Sequence, residues 1–338
     1  MIIVMKAEAS KADADELLAL IENKGLKPLY LPGEERTVLG ALGDERVLAD
    51  MNLHNHPQVD EVKAILSPYK KVSRELHPED TIVEVGPCRF SPDKFVVIGG
   101  PCAVENTEQM NTVAQGVSQA GAKLLRGGIF KPRTSPYSFQ GLGIDGLSVM
   151  TDAADAHGMG TVTEVTDVTE VPQLDGKVSA FQIGSRNMQN FRLLEAVGKT
   201  NTPVLLKRGL SAKIDELLLA AEYIVDNGNE QVVLCERGIR TYETATRNTL
   251  DLNAVAYIKK RSHLPIIVDP SHGTGVKDLI VPMSKAAVAA GADGLIVEVH
   301  PNPSEAKSDA HQQLTIAEFH ELMQQITPFV HASGRTLS

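Results

Sequence analysis

A dense group of cationic and hydroxyl side chains lies in residues 124–140, whose sequence is LLRGGIFKPRTSPYSFQ. Arg126, Lys131 and Arg133 stand among two glycines and two prolines. Glycine permits a tight turn and proline fixes the backbone, so this composition predicts a loop with a defined path. Because arginine offers a planar fork and lysine a point charge, such a loop suits a phosphorylated or carboxylated small molecule. A solvated basic turn is the alternative interpretation.

A second set of side chains could bind a metal ion, although it is scattered along the chain. Cys102, His272, Glu298 and Asp309 offer one thiolate, one imidazole and two carboxylates. These donors suit a first-row dication of the Mn, Fe, Co or Zn class, and the thiolate argues against Mg²⁺. Their spacing is not a local motif such as C-x-x-C, so the prediction depends on a fold that brings them together. A core thiol and an ordinary loop histidine are the alternatives.

Eight short apolar runs after residue 94 are the elements that must position these side chains. Helix-like segments follow them, among them Thr107–Gln119, Ile214–Val225 and Leu279–Ala290. This alternation predicts an α/β fold of the (β/α)8 TIM barrel type, and an open doubly wound sheet is the alternative. The runs are Phe95–Ile98, Lys123–Leu125, Thr161–Val165, Phe181–Ile183, Val204–Leu206, Val232–Cys235, Ile266–Val268 and Leu295–Val299.

In a barrel of this type the carboxyl ends of all strands share one face, where active sites lie. Each apolar run leads into polar or charged side chains, which a purely structural barrel would not need. The metal candidates follow strands one, seven and eight, which adjoin in a closed barrel. The cations are too many for one phosphate, so two anionic substrates, or one with several anionic groups, are favoured. We expect Lys131 to be exposed. The rim residues are Cys102, Glu105, Arg126, Lys131, Arg133, Glu164, Arg186, Lys207, Arg208, Glu236, Arg237, Asp269, His272, Glu298, His300 and Asp309.

The sequence predicts three regions: a small α+β domain over residues 1–66, a connector over 67–93 and the barrel over 94–338. The order βαββαβ in the first region is the ferredoxin-like pattern. An assembly element and an amino-acid-sensing domain are equally compatible with it. In the connector, TIVEVGPCRF predicts a hairpin with a Gly-Pro turn. The predicted elements of the small domain are Ile2–Met5, Ala12–Asn23, Lys27–Leu31, Thr37–Leu42, Asp44–Leu53 and Val59–Leu66.

Composition excludes several classes of function. The net charge of −10 and the pI of about 5.5 argue against a nucleic-acid or anionic-membrane surface. No apolar run approaches the roughly 20 residues that cross a bilayer, and the N-terminus lacks the apolar core of a signal peptide. Three widely spaced cysteines do not form a disulfide framework, so we expect a protein of the reducing cytoplasm.

The barrel motifs resemble those of the 3-deoxy-D-arabino-heptulosonate 7-phosphate (DAHP) synthase family. The similarity is to the form related to 3-deoxy-octulosonate 8-phosphate synthases, with an N-terminal ferredoxin-like regulatory domain. It implies condensation of phosphoenolpyruvate with erythrose 4-phosphate and water, the first step of the shikimate pathway to the aromatic amino acids. The motifs are GGPCAVE, RGGIFKPRTSPYSFQGLG, QIGSRN, LLKRG, CERGIRTYETATRNTLD, VDPSHGTG and IVEVHPNPSEAKSD.

The resemblance also implies roles for matching residues. Arg186, Lys207 and Arg237 would hold the phosphate of phosphoenolpyruvate, while Arg126 and Lys131 would reach its carboxylate and reacting end. Arg133 and Thr134 would bind erythrose 4-phosphate. Cys102, His272, Glu298 and Asp309 would be the metal ligands, and Lys131, Glu164 and His272 are the candidates for proton transfer. Feedback inhibition by tyrosine or phenylalanine and a homotetramer are also expected.

Two other functions compete with this one: octulosonate 8-phosphate synthesis and a non-catalytic sensing role. Octulosonate 8-phosphate synthases act on arabinose 5-phosphate and typically carry Asn-Arg-Ser where this chain has Pro132, Arg133 and Thr134, so the four-carbon sugar phosphate is favoured. A non-catalytic barrel that supports a sensing domain should have lost metal ligands or rim cations, and this chain retains them. Ser185 stands where the family often has alanine, a small change that the site should tolerate.

Overall fold

The computed structural model describes residues 1–338 except 34–35, 44–46, 49–52, 64–66 and 134. The chain divides into two compact units, Met1–Glu79 and Asp80–Ser338. Among the described residues, no helix is both long enough and apolar enough to cross a membrane.

The first unit is a small antiparallel sheet with a packed helix. Its elements are β1 (Ile2–Met5), α1 (Lys11–Asn23), β2 (Lys27–Pro32), β3 (Thr37–Leu42) and β4 (Val59–Lys63). The strand order β2-β3-β1-β4 is that of a ferredoxin-like sheet, which confirms this part of the fold prediction. Most of the predicted helix Asp44–Leu53 lies outside the described residues, and Leu53–Asn55 forms a 3-10 helix.

Helix α1 shows why this segment folds as it does. The Ser10 hydroxyl accepts a hydrogen bond from the Asp13 N–H, and the Asp13 carboxylate accepts one from the Ser10 N–H, which completes a capping box. Ala14, Leu17 and Ile21 recur at helical spacing and are buried against the sheet.

The second unit is a closed eight-stranded parallel barrel. Each strand pairs in parallel with the next, and the last strand, β14 (Gly294–Glu298), pairs with the first, β7 (Lys94–Gly100). This pairing closes the ring, which confirms the TIM barrel and excludes an open sheet. The strands, including a preceding hairpin, are β5 (Val83–Val85), β6 (Cys88–Phe90), β7 (Lys94–Gly100), β8 (Leu124–Arg126), β9 (Gly160–Val165), β10 (Ala180–Ile183), β11 (Val204–Lys207), β12 (Val232–Glu236), β13 (Ile266–Val268), β14 (Gly294–Glu298) and, at the C-terminus, β15 (Thr336–Leu337).

Helices surround the barrel and connect its strands. Asn106 caps α2 (Thr107–Gln119) and Asn190 caps α5 (Phe191–Gly198), each through its side-chain oxygen. The helices are α2 (Thr107–Gln119), α3 (Gly146–Asp155), α4 (Val171–Leu174), α5 (Phe191–Gly198), α6 (Ile214–Asp226), α7 (Leu252–Arg261), α8 (Pro270–Thr274), α9 (Ile280–Ala289) and α10 (Ile316–Ala332).

The hairpin β5–β6 covers the amino-terminal end of the barrel. Gly86 has a positive φ of 52°, which glycine adopts without strain at this turn. Val83, Val85 and Phe90 are buried in one cluster with interior side chains of the barrel, such as Ile98. This end is therefore filled by apolar side chains, and the polar rim forms at the opposite, carboxyl end of the strands.

Candidate active site

A polar cavity of about 290 Å³ lies at the carboxyl end of the barrel strands. It gathers all six cations of the predicted substrate set, together with two of the predicted metal ligands. These residues are Arg126, Lys131, Arg133, Arg186, Lys207, Arg237, His272 and Asp309. Thr134, the remaining predicted substrate contact, lies outside the described residues.

The four predicted metal ligands also converge. The ligating atoms of Cys102, His272, Glu298 and Asp309 all lie within 4.8 Å of one another. Cys102 Sγ is 3.3 Å from Asp309 Oδ2, and His272 Nε2 is 3.4 Å from Glu298 Oε1 and 3.7 Å from Asp309 Oδ2. Metal–ligand bonds of about 2.0–2.3 Å in a tetrahedral arrangement separate donor atoms by roughly 3.3–3.8 Å. The cluster therefore fits a first-row dication both in spacing and in donor chemistry.

His272 is oriented by the residue that begins its helix. Asp269 follows β13 and caps α8, since its Oδ1 accepts a hydrogen bond from the His272 N–H at 2.9 Å. Its Oδ2 lies 2.8 Å from His272 Nδ1, so Nδ1 carries the proton and Nε2 faces the cluster. Burial lowers the pKa of His272, but Asp269 and Glu298 outweigh it and raise the pKa to about 10.

Asp309 reaches the cluster from a constrained loop. It is the only non-glycine residue with positive φ (50°) in the described part of the chain. Its Oδ1 accepts a hydrogen bond from Arg247 Nη1 at 3.2 Å, and Arg247 also donates to Gln312 at 2.8 Å. Burial raises the pKa of Asp309, but His272, Arg247 and Cys102 outweigh it and hold the pKa well below its usual range. A carboxylate that stays ionised is ready to bind a cation.

Sequence reasoning missed several residues of this site, among them Gln182, Arg247 and Ser308, which line the cavity. The sequence did offer a signal for Arg247, because this residue lies in the family-like segment CERGIRTYETATRNTLD at the end of the sixth barrel strand. Ser308 contacts both Cys102 Sγ, at 3.2 Å, and the guanidinium of Arg133. It thus lies between the predicted metal ligands and the loop that carries Arg133.

The expectation that Lys131 is exposed is wrong. Its side chain is 9% exposed, and Nζ lies 3.4 Å from Glu164 Oε2. Burial lowers the pKa of Lys131, but Cys102 and Glu164 outweigh it and hold the pKa above its ordinary value. Gly184 makes room for this pair, since a Cβ atom there would lie 2.1 Å from Glu164 Oε1. The lysine is therefore a largely buried, protonated group facing the cavity.

Several other charges of the predicted rim stabilise the scaffold instead of lining the cavity. Arg208 is buried and binds Glu236 at 2.8 Å and Asp251 at 3.0 Å. Glu105 accepts a hydrogen bond from the Lys307 N–H and lies 3.6 Å from His300 Nε2. Position at a strand end therefore predicted the face of the barrel correctly, but not which charges point into the cavity.

Comparison with known proteins gives consistent matches over both units. Residues 89–332 match the DAHP synthetase I family, and residues 1–67 match the DAHP synthase ferredoxin-like domain. A phospho-2-dehydro-3-deoxyheptonate aldolase from Thermotoga maritima is 49% identical over 334 residues, which cover 99% of each chain. A 2-dehydro-3-deoxyphosphooctonate aldolase from Fusobacterium nucleatum is 28% identical and covers 71% of this chain and 92% of its own length.

Solved structures agree with these matches. The crystal structure of the phospho-2-dehydro-3-deoxyheptonate aldolase (DAHP synthase) from Thermotoga maritima has a TM-score of 0.80 and 48% identity, covering 100% of this chain and 99% of that one. A truncated form of 3-deoxy-D-arabino-heptulosonate 7-phosphate synthase from Thermotoga maritima covers 79% of this chain and 98% of its own, with a TM-score of 0.74.

Proposed function

The chain belongs to the DAHP synthetase I family and is a DAHP synthase, and we propose that it uses a bound divalent cation to condense phosphoenolpyruvate with erythrose 4-phosphate. The observation that carries this proposal is the convergence of six cations beside a four-donor cluster in one cavity. Two anionic substrates and one dication match that charge distribution. The octulosonate 8-phosphate synthases are only distant relatives.

We assign the phosphate of phosphoenolpyruvate to Arg186, Lys207 and Arg237. Lys207 and Arg237 are each 4% exposed and yet line the cavity, so their charges act in a weakly solvated site. Arg126 and Lys131 are assigned to the carboxylate and the reacting end. Arg126 is buried beside the cluster, with Nη1 3.2 Å from Glu298 Oε1.

Arg133 and Thr134 are assigned to erythrose 4-phosphate. The guanidinium of Arg133 contacts Ser308, next to the proposed metal ligand Asp309. A phosphate held by Arg133 would therefore leave the aldehyde end of a four-carbon sugar within reach of the cluster. This placement favours bond formation between the two substrates at the centre of the cavity.

Cys102, His272, Glu298 and Asp309 would hold the cation, of the Mn, Fe, Co or Zn class. When bound, it supplies Lewis-acid polarisation of the aldehyde oxygen. Carbon 3 of phosphoenolpyruvate then bonds to the aldehyde carbon, water adds at carbon 2, and phosphate leaves as the C–O bond breaks. The surrounding cations stabilise the charge that moves in these steps.

We assign proton transfer to the pair Lys131 and Glu164. Lys131 faces the cavity in its protonated form and can donate, and Glu164 lies 3.4 Å away and can accept. His272 is less suited, because Asp269 holds Nδ1 and the proposed cation would occupy Nε2.

A test of the substrate assignment offers the metal-loaded enzyme phosphoenolpyruvate with either erythrose 4-phosphate or arabinose 5-phosphate. We expect kcat/KM to be higher with the four-carbon substrate, because Pro132, Arg133 and Thr134 stand where octulosonate 8-phosphate synthases typically carry Asn-Arg-Ser. Phosphate release followed at equal sugar concentrations measures this ratio. Faster turnover of arabinose 5-phosphate would contradict the assignment and favour the octulosonate reaction.

We also propose that the ferredoxin-like unit senses tyrosine or phenylalanine, and that the enzyme is a homotetramer as the family resemblance implies. The proposed metal ligands and substrate contacts all lie in the barrel. The truncated Thermotoga maritima structure, which matches 79% of this chain, supports a barrel that folds by itself. An effector bound to the small unit must act by favouring one state of the enzyme over another.

Deletion of residues 1–66 should therefore leave turnover within about twofold of wild type, since the residues assigned to catalysis remain. It should abolish inhibition by tyrosine or phenylalanine, measured as dose–response curves of both proteins at subsaturating substrate. An unchanged inhibition midpoint in the truncated enzyme would show that the effector binds the barrel. If neither protein responds, the small unit serves assembly only.

A further inference from the structure

The carboxylate of Asp269 connects the two halves of the site. Its side chain is fully buried, and its Oδ2 accepts hydrogen bonds from both Lys207 Nζ, at 2.5 Å, and His272 Nδ1, at 2.8 Å. His272 belongs to the metal cluster, while Lys207 lines the cavity among the cations. One oxygen atom is thus shared by a proposed metal ligand and a proposed phosphate ligand.

Asp269 has little freedom to separate these two contacts. Its backbone N–H donates to the Glu236 carbonyl at 2.8 Å, and its Oδ1 caps α8 through the His272 N–H. Lys207 in turn is 4% exposed on the neighbouring part of the rim, so water cannot readily replace the carboxylate as its partner. A change in the charge of Lys207 or His272 therefore alters the hydrogen bond that the other makes to Oδ2.

We propose that Asp269 is a positioning residue that couples cation binding to phosphoenolpyruvate binding, an inference that rests on the function proposed above. Phosphate bound to Lys207 would draw the ammonium away from Oδ2, so the carboxylate would hold the His272 Nδ1–H more strongly and make Nε2 a better ligand for the cation. By the same linkage, a cation held at Nε2 would favour the state in which Lys207 is free to bind phosphate. Each ligand therefore tightens the other by the same factor.

Asp269→Asn tests this coupling without turnover. The variant keeps the side-chain volume and an oxygen that can cap α8, but its amide cannot accept hydrogen bonds from both partners at the former Oδ2. The measurement is the Mn²⁺ dissociation constant, obtained by competition with a chelator, with and without saturating phosphoenolpyruvate. No sugar phosphate is present, so no product forms.

In the wild type we expect phosphoenolpyruvate to tighten Mn²⁺ binding by a factor within the usual range of about 5–150-fold. In Asp269→Asn this factor should fall to near one, and Mn²⁺ binding alone should weaken by about 10–100-fold. Asp251→Asn is the matched control, because Asp251 also caps a helix and binds a buried arginine, but lies outside the metal cluster. In Asp251→Asn, phosphoenolpyruvate should tighten Mn²⁺ binding by the same factor as in the wild type.

A second variant covers the case in which Asp269→Asn does not fold. Asp269→Ser retains a hydroxyl that can cap α8 and removes the shared acceptor, so it should lose the coupling as well. The inference would be overturned if either folded variant showed the wild-type tightening of Mn²⁺ binding by phosphoenolpyruvate. It would also be overturned if the wild type bound the two ligands independently. Failure of the wild type to bind Mn²⁺ or phosphoenolpyruvate at all would instead contradict the proposed function.

Discussion

Cys102→Ser should give a folded enzyme whose activity is at least about 100-fold lower than that of the wild type. Substitution of a residue that merely supports a metal ligand typically costs about 10–100-fold, and substitution of the ligand itself should cost at least as much. Cys102 is fully buried, and its Sγ lies 3.3 Å from Asp309 in the four-donor cluster. Serine replaces a thiolate with a neutral, weakly binding hydroxyl while keeping the shape of the side chain. His272→Ala should have an effect of the same kind, and metal content after dialysis should fall with activity.

Cys88→Ser is the matched control for the thiol chemistry. Cys88 is also a buried, free cysteine, but it lies in the β5–β6 hairpin at the other end of the barrel. Its substitution should cost some stability, since a hydroxyl is buried among apolar side chains, and should leave metal content unchanged. If Cys102→Ser keeps wild-type activity, or if activity survives complete chelation, the proposed metal site is wrong.

Lys131→Met should reduce kcat by about 10²–10³-fold, the range seen when one preorganised donor to a developing charge is removed. A second consequence follows because the largely covered Lys131 is paired with the buried Glu164. Removal of one partner leaves an uncompensated buried carboxylate, so the single variant should also melt at a lower temperature than wild type.

The double variant Lys131→Met, Glu164→Gln separates the two effects. It removes the unpaired charge and should recover much of the lost melting temperature, but none of the lost kcat. Steady-state kinetics and thermal melts of wild type, both single variants and the double variant measure this. Recovery of activity in the double variant would show that Lys131 acts through stability alone, and would remove it from the catalytic assignment.

The sequence predicted the barrel because each strand carried a strong local signal. The run Ile266–Val268 was predicted with its observed bounds, and Phe95–Ile98 lies inside β7. The convergence of Cys102, His272, Glu298 and Asp309 followed from closure of the ring, which places the ends of strands one, seven and eight together. Closure itself is not a local property, yet it is the usual outcome of eight alternating units.

Side-chain direction and burial could not be predicted in the same way. Lys131 looked exposed because its loop is polar, but the space beside Gly184 admits Glu164 and buries the pair. Lys207 and Arg208 are adjacent in sequence, and position at the strand end does not distinguish them. The resemblance singled out Lys207, and the structure shows that Lys207 lines the cavity while Arg208 binds Glu236. Asp269 Oδ2 is shared only because Lys207 Nζ and His272 Nδ1 lie 2.5 Å and 2.8 Å from it. Spacing along the chain does not encode positions of that precision.

The most direct test of the central claim is to identify the product made by the full-length enzyme after metal removal and after reloading with one dication. With phosphoenolpyruvate and erythrose 4-phosphate, the reloaded enzyme should form the seven-carbon DAHP and one phosphate per product, resolved by mass spectrometry. The stripped enzyme should form neither. Equal product formation before and after reloading would contradict the metal-dependent mechanism, and an eight-carbon product formed preferentially from arabinose 5-phosphate would contradict the assigned reaction.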